Sequence, residues 1–201
     1  MRKRAARLLG AAIAVAGLLA AAPSTGAAEF SPAAGPAPAA PAAKSAPAGA
    51  VARYEGREIN LAEGWQGAHT CVVHTRQDIR CHSDAADADA ALGYRRAADP
   101  LVRRAASPRA AVAVPACAGG WLCLYEHANG QGRRLIFNDE YWHNLYDYGF
   151  QNQTSSWRNT QSRGDSGGLR MSDTQQQIWL GAPGYVSYIG IYNDKAYMVH
   201  G

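Results

Sequence analysis

Long apolar runs are missing beyond residue 22. No later stretch approaches the roughly 20 apolar residues that a bilayer crossing takes, so membrane insertion is not expected. Excess charge is missing too, once it is located. The formal net charge is +4, but residues 1–28 hold four of the 20 Lys and Arg and no Asp or Glu, so 16 basic residues face 16 acidic ones from Glu29 onward. A nucleic-acid binder keeps a basic face, and none is expected here. Arg95, Arg96, Arg103, Arg104 and Arg109 cluster among Ala and Pro, which reads as a solvated linker. Cysteine is scarce: Cys71, Cys81, Cys117 and Cys123 are all there is, with no Cys-x-x-Cys pair.

What is present begins with Arg2, Lys3, Arg4 and Arg7, an apolar run from Leu8 to Ala22 and the small residues Gly26-Ala27-Ala28. This is the order of an export signal, so residues 1–28 are expected to be a cleaved signal peptide and the protein to be secreted. The run of 15 residues is short for a membrane span, and neither a lipid-bearing Cys nor an adjacent Arg pair accompanies it. In an exported chain an even cysteine count implies two disulfides, with three connectivities possible. The sequence-local pairing is favoured: a hairpin would set Cys71 opposite Cys81, and Cys117 with Cys123 would close a small loop around Gly119-Gly120. A zinc site from Cys71, Cys81, His69, His74 and His82 is the alternative.

Residues 29–52 form a linker, for 15 of the 20 residues from Ser31 to Ala50 are Ala or Pro. A small β unit is expected at 53–83, with strands at Arg57 to Leu61, Thr70 to Thr75 and Asp78 to His82. Residues 84–114 read as an Ala-rich helix before Pro100, then a second linker from Ser107-Pro108 to Val114-Pro115. In 115–201 aromatics concentrate, and Asn129-Gly130, Asn138-Asp139, Gly149, Gly167-Gly168, Pro183-Gly184 and Asn193-Asp194 recur as turns, the pattern of an all-β sandwich. A shift of 42 residues lays Ile136-Phe137 on Ile178-Trp179, Tyr146 on Tyr188, Phe150 on Tyr192 and Asn152 on Asp194, which fits two Greek keys.

Cys117-Ala-Gly-Gly-Trp-Leu-Cys123-Leu-Tyr125-Glu-His-Ala-Asn129-Gly-Gln-Gly132, followed by Tyr148-Gly149-Phe150-x-Asn152-x-x-Ser155-Ser156-x-x-Asn159, resembles the actinomycete metalloproteinase-inhibitor family, peptidase inhibitor family thirty-six. The similarity is good over roughly 115–160 and loose beyond. It implies a two-Greek-key βγ-crystallin-like sandwich, with Tyr125 covering a folded hairpin and Gly132 letting it turn through a positive φ. It also implies inhibition of a secreted zinc metalloprotease by a rigid loop. The family's loop disulfide has no counterpart, because residues 124–201 lack cysteine; the turns near Asn138-Asp139 and Arg163 to Gly168 are the candidates for that loop.

The crystallin calcium signature, Asn/Asp-Asn/Asp-x-x-Ser/Thr-Ser, is met from Gln151 to Ser156 except at its first position, and by Asn193-Asp194 only at its first two. Calcium is therefore a candidate ligand of Asn152, Gln153, Ser155, Asn193 and Asp194, the alternative being that the serines bond nearby backbone to close the Greek key. No cofactor is required. Gly164-Asp165-Ser166-Gly167-Gly168 matches the nucleophile segment of chymotrypsin-like proteases, but a triad also needs a His and a buried Asp. His69-Thr70-Cys71 does not supply the Ala-Ala-His-Cys of that family, and the 33 residues after Gly168 cannot complete two barrels. The reading is a secreted, monomeric, non-enzymatic inhibitor-type protein. The alternative is an extracellular structural or binding module with a degenerate calcium site.

Overall fold

A computed structural model describes residues 49–201; the expected signal peptide and residues 29–48 of the linker lie outside the described residues. The first four strands are β1 (Val51–Tyr54), β2 (Arg57–Asn60), β3 (Thr70–Thr75) and β4 (Asp78–His82). Three short helices follow, α1 (Ala85–Ala91), α2 (Pro100–Arg103) and α3 (Pro108–Val112). The remaining strands are β5 (Leu122–His127), β6 (Gln131–Phe137), β7 (Trp142–Asn144), β8 (Ser156–Asn159), β9 (Ser166–Met171), β10 (Gln177–Gly181), β11 (Gly184–Val186) and β12 (Ala196–His200).

Two sheets result, one ordered β11-β8-β5-β6-β3-β4-β1-β2 and the other β10-β9-β12-β7. Within β5 to β8 the fourth strand returns beside the first, as a Greek key requires, while the third strand, β7, crosses into the second sheet. The run β9 to β12 does the same in reverse, sending β11 into the first sheet. The two Greek keys are thus locked by exchanged third strands into a βγ-crystallin-like sandwich. Two backbone bonds state the internal symmetry: Asn152 N–H donates to the Ala196 carbonyl at 2.7 Å, and Asp194 N–H to the Thr154 carbonyl at 3.1 Å. The 42-residue shift therefore holds at the loops. It slips by one in the hairpins, where Leu135 and Phe137 face the core as Ile178 and Leu180 do.

The segment 53–83 is not a separate unit. Strand β3 pairs in parallel with β6, Cys71 opposite Leu135, so β1 to β4 prolong the first sheet. Their apolar residues, Ala52, Tyr54, Ile59, Leu61 and Val73, share one core with Leu122, Leu124, Phe137, Leu169 and Val199. Pairing of β3 with β6 carries the apolar face of these four short strands into that shared core. Trp65 Nε1–H donates to the Tyr148 carbonyl at 2.7 Å. Gly149 (φ +58°) allows this approach, since a Cβ there would stand 2.3 Å from the Leu61 carbonyl oxygen.

Residues 84–114 likewise do not behave as a helix and a loose linker. Each helix is capped by its preceding residue, Asp84, Asp99 and Ser107, and Pro100 and Pro108 occupy the first turns. The capped helices cover the outer face of the first sheet, where Val72, Cys117, Cys123, Tyr125 and Ile136 form a second apolar cluster with Leu92 and Trp121. Arg96 leaves the expected solvated cluster to donate to the Ala111 and Val114 carbonyls at 2.7 and 3.1 Å.

Two guanidiniums hold this cap. Arg158, on β8, makes a bidentate pair with Asp99 at 2.6 and 3.0 Å and donates to the Pro115 carbonyl at 2.7 Å. Arg134, on β6, donates to the Ala85 and Ala116 carbonyls and lies 2.7 Å from Asp89. Side-chain exposure is 5% for Arg158 and 1% for Asp99.

Burial alone would raise the Asp99 carboxyl, but hydrogen bonds from Arg158 and Tyr94 outweigh it and hold the value down to about 2. A folded value below the ordinary 3.8 stabilises the fold at neutral pH, and that contribution, about 2 kcal/mol, is lost as pH falls from about 4 toward about 2. Asp99→Ala, which strands Arg158, is expected to cost about 3–5 kcal/mol in urea melts, and Asp99→Leu with Arg158→Met to recover most of it. A single-variant loss below about 1 kcal/mol would show that the pair does not hold the cap.

Candidate functional site

The state of the cysteines decides what the neighbouring histidines can do. Cys71 and Cys81 face each other across β3 and β4 and are bonded, and Cys117 is bonded to Cys123. With both thiols of the zinc alternative consumed, two of its three histidines are seen with other partners. His69 Nδ1 lies 3.2 Å from Thr70 Oγ1, and His74 packs edge-on to Trp121. Among the described residues no three His, Cys, Asp or Glu side chains gather as a metal cluster.

The folded hairpin between β5 and β6 turns at Gly132 (φ +74°), where a Cβ would stand 2.9 Å from Glu126 Cβ and His127 Cδ2. Ser156 fastens it: the hydroxyl donates to the His127 carbonyl at 2.6 Å and accepts from Gly130 N–H at 3.0 Å. Tyr125 is buried in the outer cluster beneath the cap, its hydroxyl donating to the Ala116 carbonyl. Its ring anchors the 84–116 segment, a task the sequence did not indicate because that segment has the composition of a linker.

The calcium candidates divide into two unlike halves. Asn152 stands at φ +55° and its Oδ1 accepts from Ser172 Oγ at 3.0 Å. Gln153 Oε1 accepts from Arg133, whose guanidinium is stacked over Trp65 and Phe150 and paired with Glu126 at 2.9 Å. A cation beside Gln153 would stand next to that guanidinium, whose charge Glu126 offsets. In the other half Asp194, also at φ +55°, accepts from Ser155 Oγ at 3.3 Å and from Asn193 Nδ2 at 2.6 Å. Asn193 Oδ1 is buried there without a hydrogen-bond partner, leaving one oxygen beside a carboxylate.

Of the two candidate loops, the turn from Asn138 to Tyr141 is braced from below. His143 Nε2 lies 2.7 Å from Asp139 Oδ1, and His143 Nδ1 lies 2.7 Å from the Tyr148 hydroxyl, which burial raises above its ordinary pKa. Asn138, Glu140 and Tyr141 stand exposed above this base, Tyr141 at 61%. The guanidinium of Arg76 stacks over the Tyr141 ring and donates to the Trp142 carbonyl at 3.0 Å. Around Arg163 the turn is closed by Asp165 N–H donating to the Ser162 carbonyl at 3.0 Å. Ser166 begins β9, and its N–H donates to Asp165 Oδ1 at 2.9 Å, a bond typical of turns.

Residues 110–165 match the sequence model of Peptidase inhibitor family I36. No curated protein matches. Similar solved structures include a beta gamma crystallin from Ciona intestinalis, 20% identical, covering 40% of this chain and 98% of its own with a TM-score of 0.33. Another is a betagamma-crystallin domain from Clostridium beijerinckii, 16% identical, covering 40% of this chain and 93% of its own with a TM-score of 0.32.

The Ser156 fastening has a measurable consequence. Ser156→Ala leaves a buried N–H and a carbonyl unmatched and is expected to destabilise by about 1–3 kcal/mol in denaturant melts. Ser155→Ala, at a hydroxyl with one long bond, should cost clearly less.

Proposed function

We propose that the protein is exported and that its βγ-crystallin-like domain inhibits an extracellular zinc metalloprotease through the turn Asn138–Tyr141. The observation that carries the inhibitor reading is the family match over residues 110–165, which spans this turn. Four cysteines all committed to disulfides suit an oxidising compartment. Inhibition by a loop needs a segment already fixed in its bound shape, because ordering it on binding would subtract from affinity. The Asp139–His143–Tyr148 relay supplies that rigidity, and the exposed Glu140 brings an oxygen ligand of the kind zinc accepts in a catalytic site's open position.

Titrating the mature protein against a thermolysin-type protease tests this directly. Activity is expected to fall linearly to zero near equimolar inhibitor. Glu140→Gln or Tyr141→Ala should weaken inhibition by about tenfold or more with little change in melting temperature, while Arg163→Ala leaves it intact. Full protease activity at stoichiometric inhibitor sinks the reading.

A second reading rests on the unpartnered Asn193 Oδ1. A calcium ion held by Asn193, Asp194 and the Ser155 hydroxyl would satisfy that oxygen and tie the two Greek keys together. Millimolar calcium is then expected to raise the melting temperature of the wild type but not of Asp194→Ala. Equal melting temperatures with calcium and with chelator would remove it.

A further inference from the structure

The outer face of the second sheet is built unlike the rest of the surface. Leu169, Leu180 and Val199 point into the core, so their neighbours along each strand point outward. Strand register places Trp179, Gly168, His200 and Trp142 in one row across all four strands. The adjoining row is Gln177, Arg170, Met198 and Asn144. On the other side stand only the small Ser166 and Gly181.

Gly168 makes the first row continuous. A Cβ there would stand 3.0 Å from Trp142 Cη2 and 3.3 Å from Trp179 Cε3, so both indoles reach over the glycine from opposite sides. Their centroids are 6.4 Å apart, and the His200 ring meets Trp142 at 5.3 Å and Trp179 at 6.3 Å. The Arg170 guanidinium lies 4.2 Å over Trp142, and its Nε–H donates to Gln177 Oε1 at 3.3 Å. Trp179 remains 60% exposed, whereas Trp65 and Trp157 are buried. An indole left in water forgoes about 2 kcal/mol of burial, so folding alone does not account for its place.

We propose that this face is a carbohydrate platform that takes an uncharged, flat, β-linked polysaccharide chain. Neither row contains Asp or Glu, and the cation position over Trp142 is already filled by Arg170, so a cationic ligand is disfavoured. A single arginine is too little for a polyanion. What remains is a neutral ligand with C–H faces for the exposed indole and hydroxyls for planar polar groups. Sugar rings carry electropositive C–H faces that stack on the electron-rich face of Trp179. Gln177, Arg170 and Asn144 border the platform with amide and guanidinium edges that match paired hydroxyls. A proline-rich peptide fits less well: it needs a slot between aromatic walls, and the two indoles close together over Gly168.

The test uses the intact mature protein, with cellohexaose and chitohexaose in titration calorimetry and insoluble cellulose and chitin in pull-downs. Binding to at least one hexasaccharide, with a change in tryptophan emission, is expected. Trp179→Ala and, separately, Gln177→Ala should each weaken it, the former by about tenfold. Trp179→Ala should still inhibit the protease if the wild type does, which separates this site from the Asn138–Tyr141 turn. Absence of binding to all four carbohydrates, unchanged binding by a folded Trp179→Ala, or binding of decaproline in place of the hexasaccharides would overturn the proposal.

Discussion

The bidentate pair between Arg158 and Asp99 is the constraint on which the rest of the molecule depends. A sandwich of two Greek keys leaves the outer face of each sheet to solvent, and a guanidinium on such a face would ordinarily need no partner. Here the first sheet carries Arg158 on β8 and Arg134 on β6, with β5 between them, among Val72, Tyr125 and Ile136. Those apolar neighbours exclude water, so the charges must be met by protein. Burying either guanidinium unmatched would cost several kcal/mol, a large part of the stability of a domain this size.

The segment 84–116 meets that demand with short means. None of its helices is long enough to be stable alone, yet each is started by a side-chain cap, and arginines pin the segment through its carbonyls and a carboxylate. The cap in turn sets the path of the chain beyond it. Ala116 accepts from both Arg134 and Tyr125, and the next residue enters the disulfide to Cys123, so chain direction into the first Greek key is set before β5 begins. The middle of the first sheet is buried on both faces as a result, which explains the unbroken apolar runs Leu122 to Tyr125 in β5 and Leu135 to Phe137 in β6. The second sheet has no such cover, and its outer face keeps Trp179 in solvent.

Much of the carboxy-terminal fold was legible in the residues. Turn pairs such as Asn129-Gly130 punctuate the strands, and Gly132 sits where a hairpin demands a positive φ. Asn152 and Asp194, matched by a simple shift, adopt the same left-handed conformation and exchange symmetric bonds. The hairpins resisted the same shift because an inserted residue reverses every side chain in a strand, so Trp179 aligned with the core residue Phe137 yet faces outward. The alanine-rich stretch misled for another reason. Its composition lacks the large apolar residues that announce a packed helix, and its anchors are distant in sequence: Arg134 lies 49 residues from Ala85, and Arg158 lies 59 from Asp99.

By itself the sequence determined the local things: cysteines close enough in the chain to pair, glycines where the backbone must turn left, two aromatic-rich repeats and the resemblance they carry. Those features depend on neighbours a few residues apart, which a linear pattern displays. Only the tertiary structure decided that 53–83 continues the first sheet, that 84–116 is a lid pinned by buried charge, that Arg133 reaches Gln153, and that Trp142 and Trp179 meet over Gly168. Each of these is a contact between residues far apart in the chain. Burial and strand register create such contacts, and neither exists until the sheets have closed.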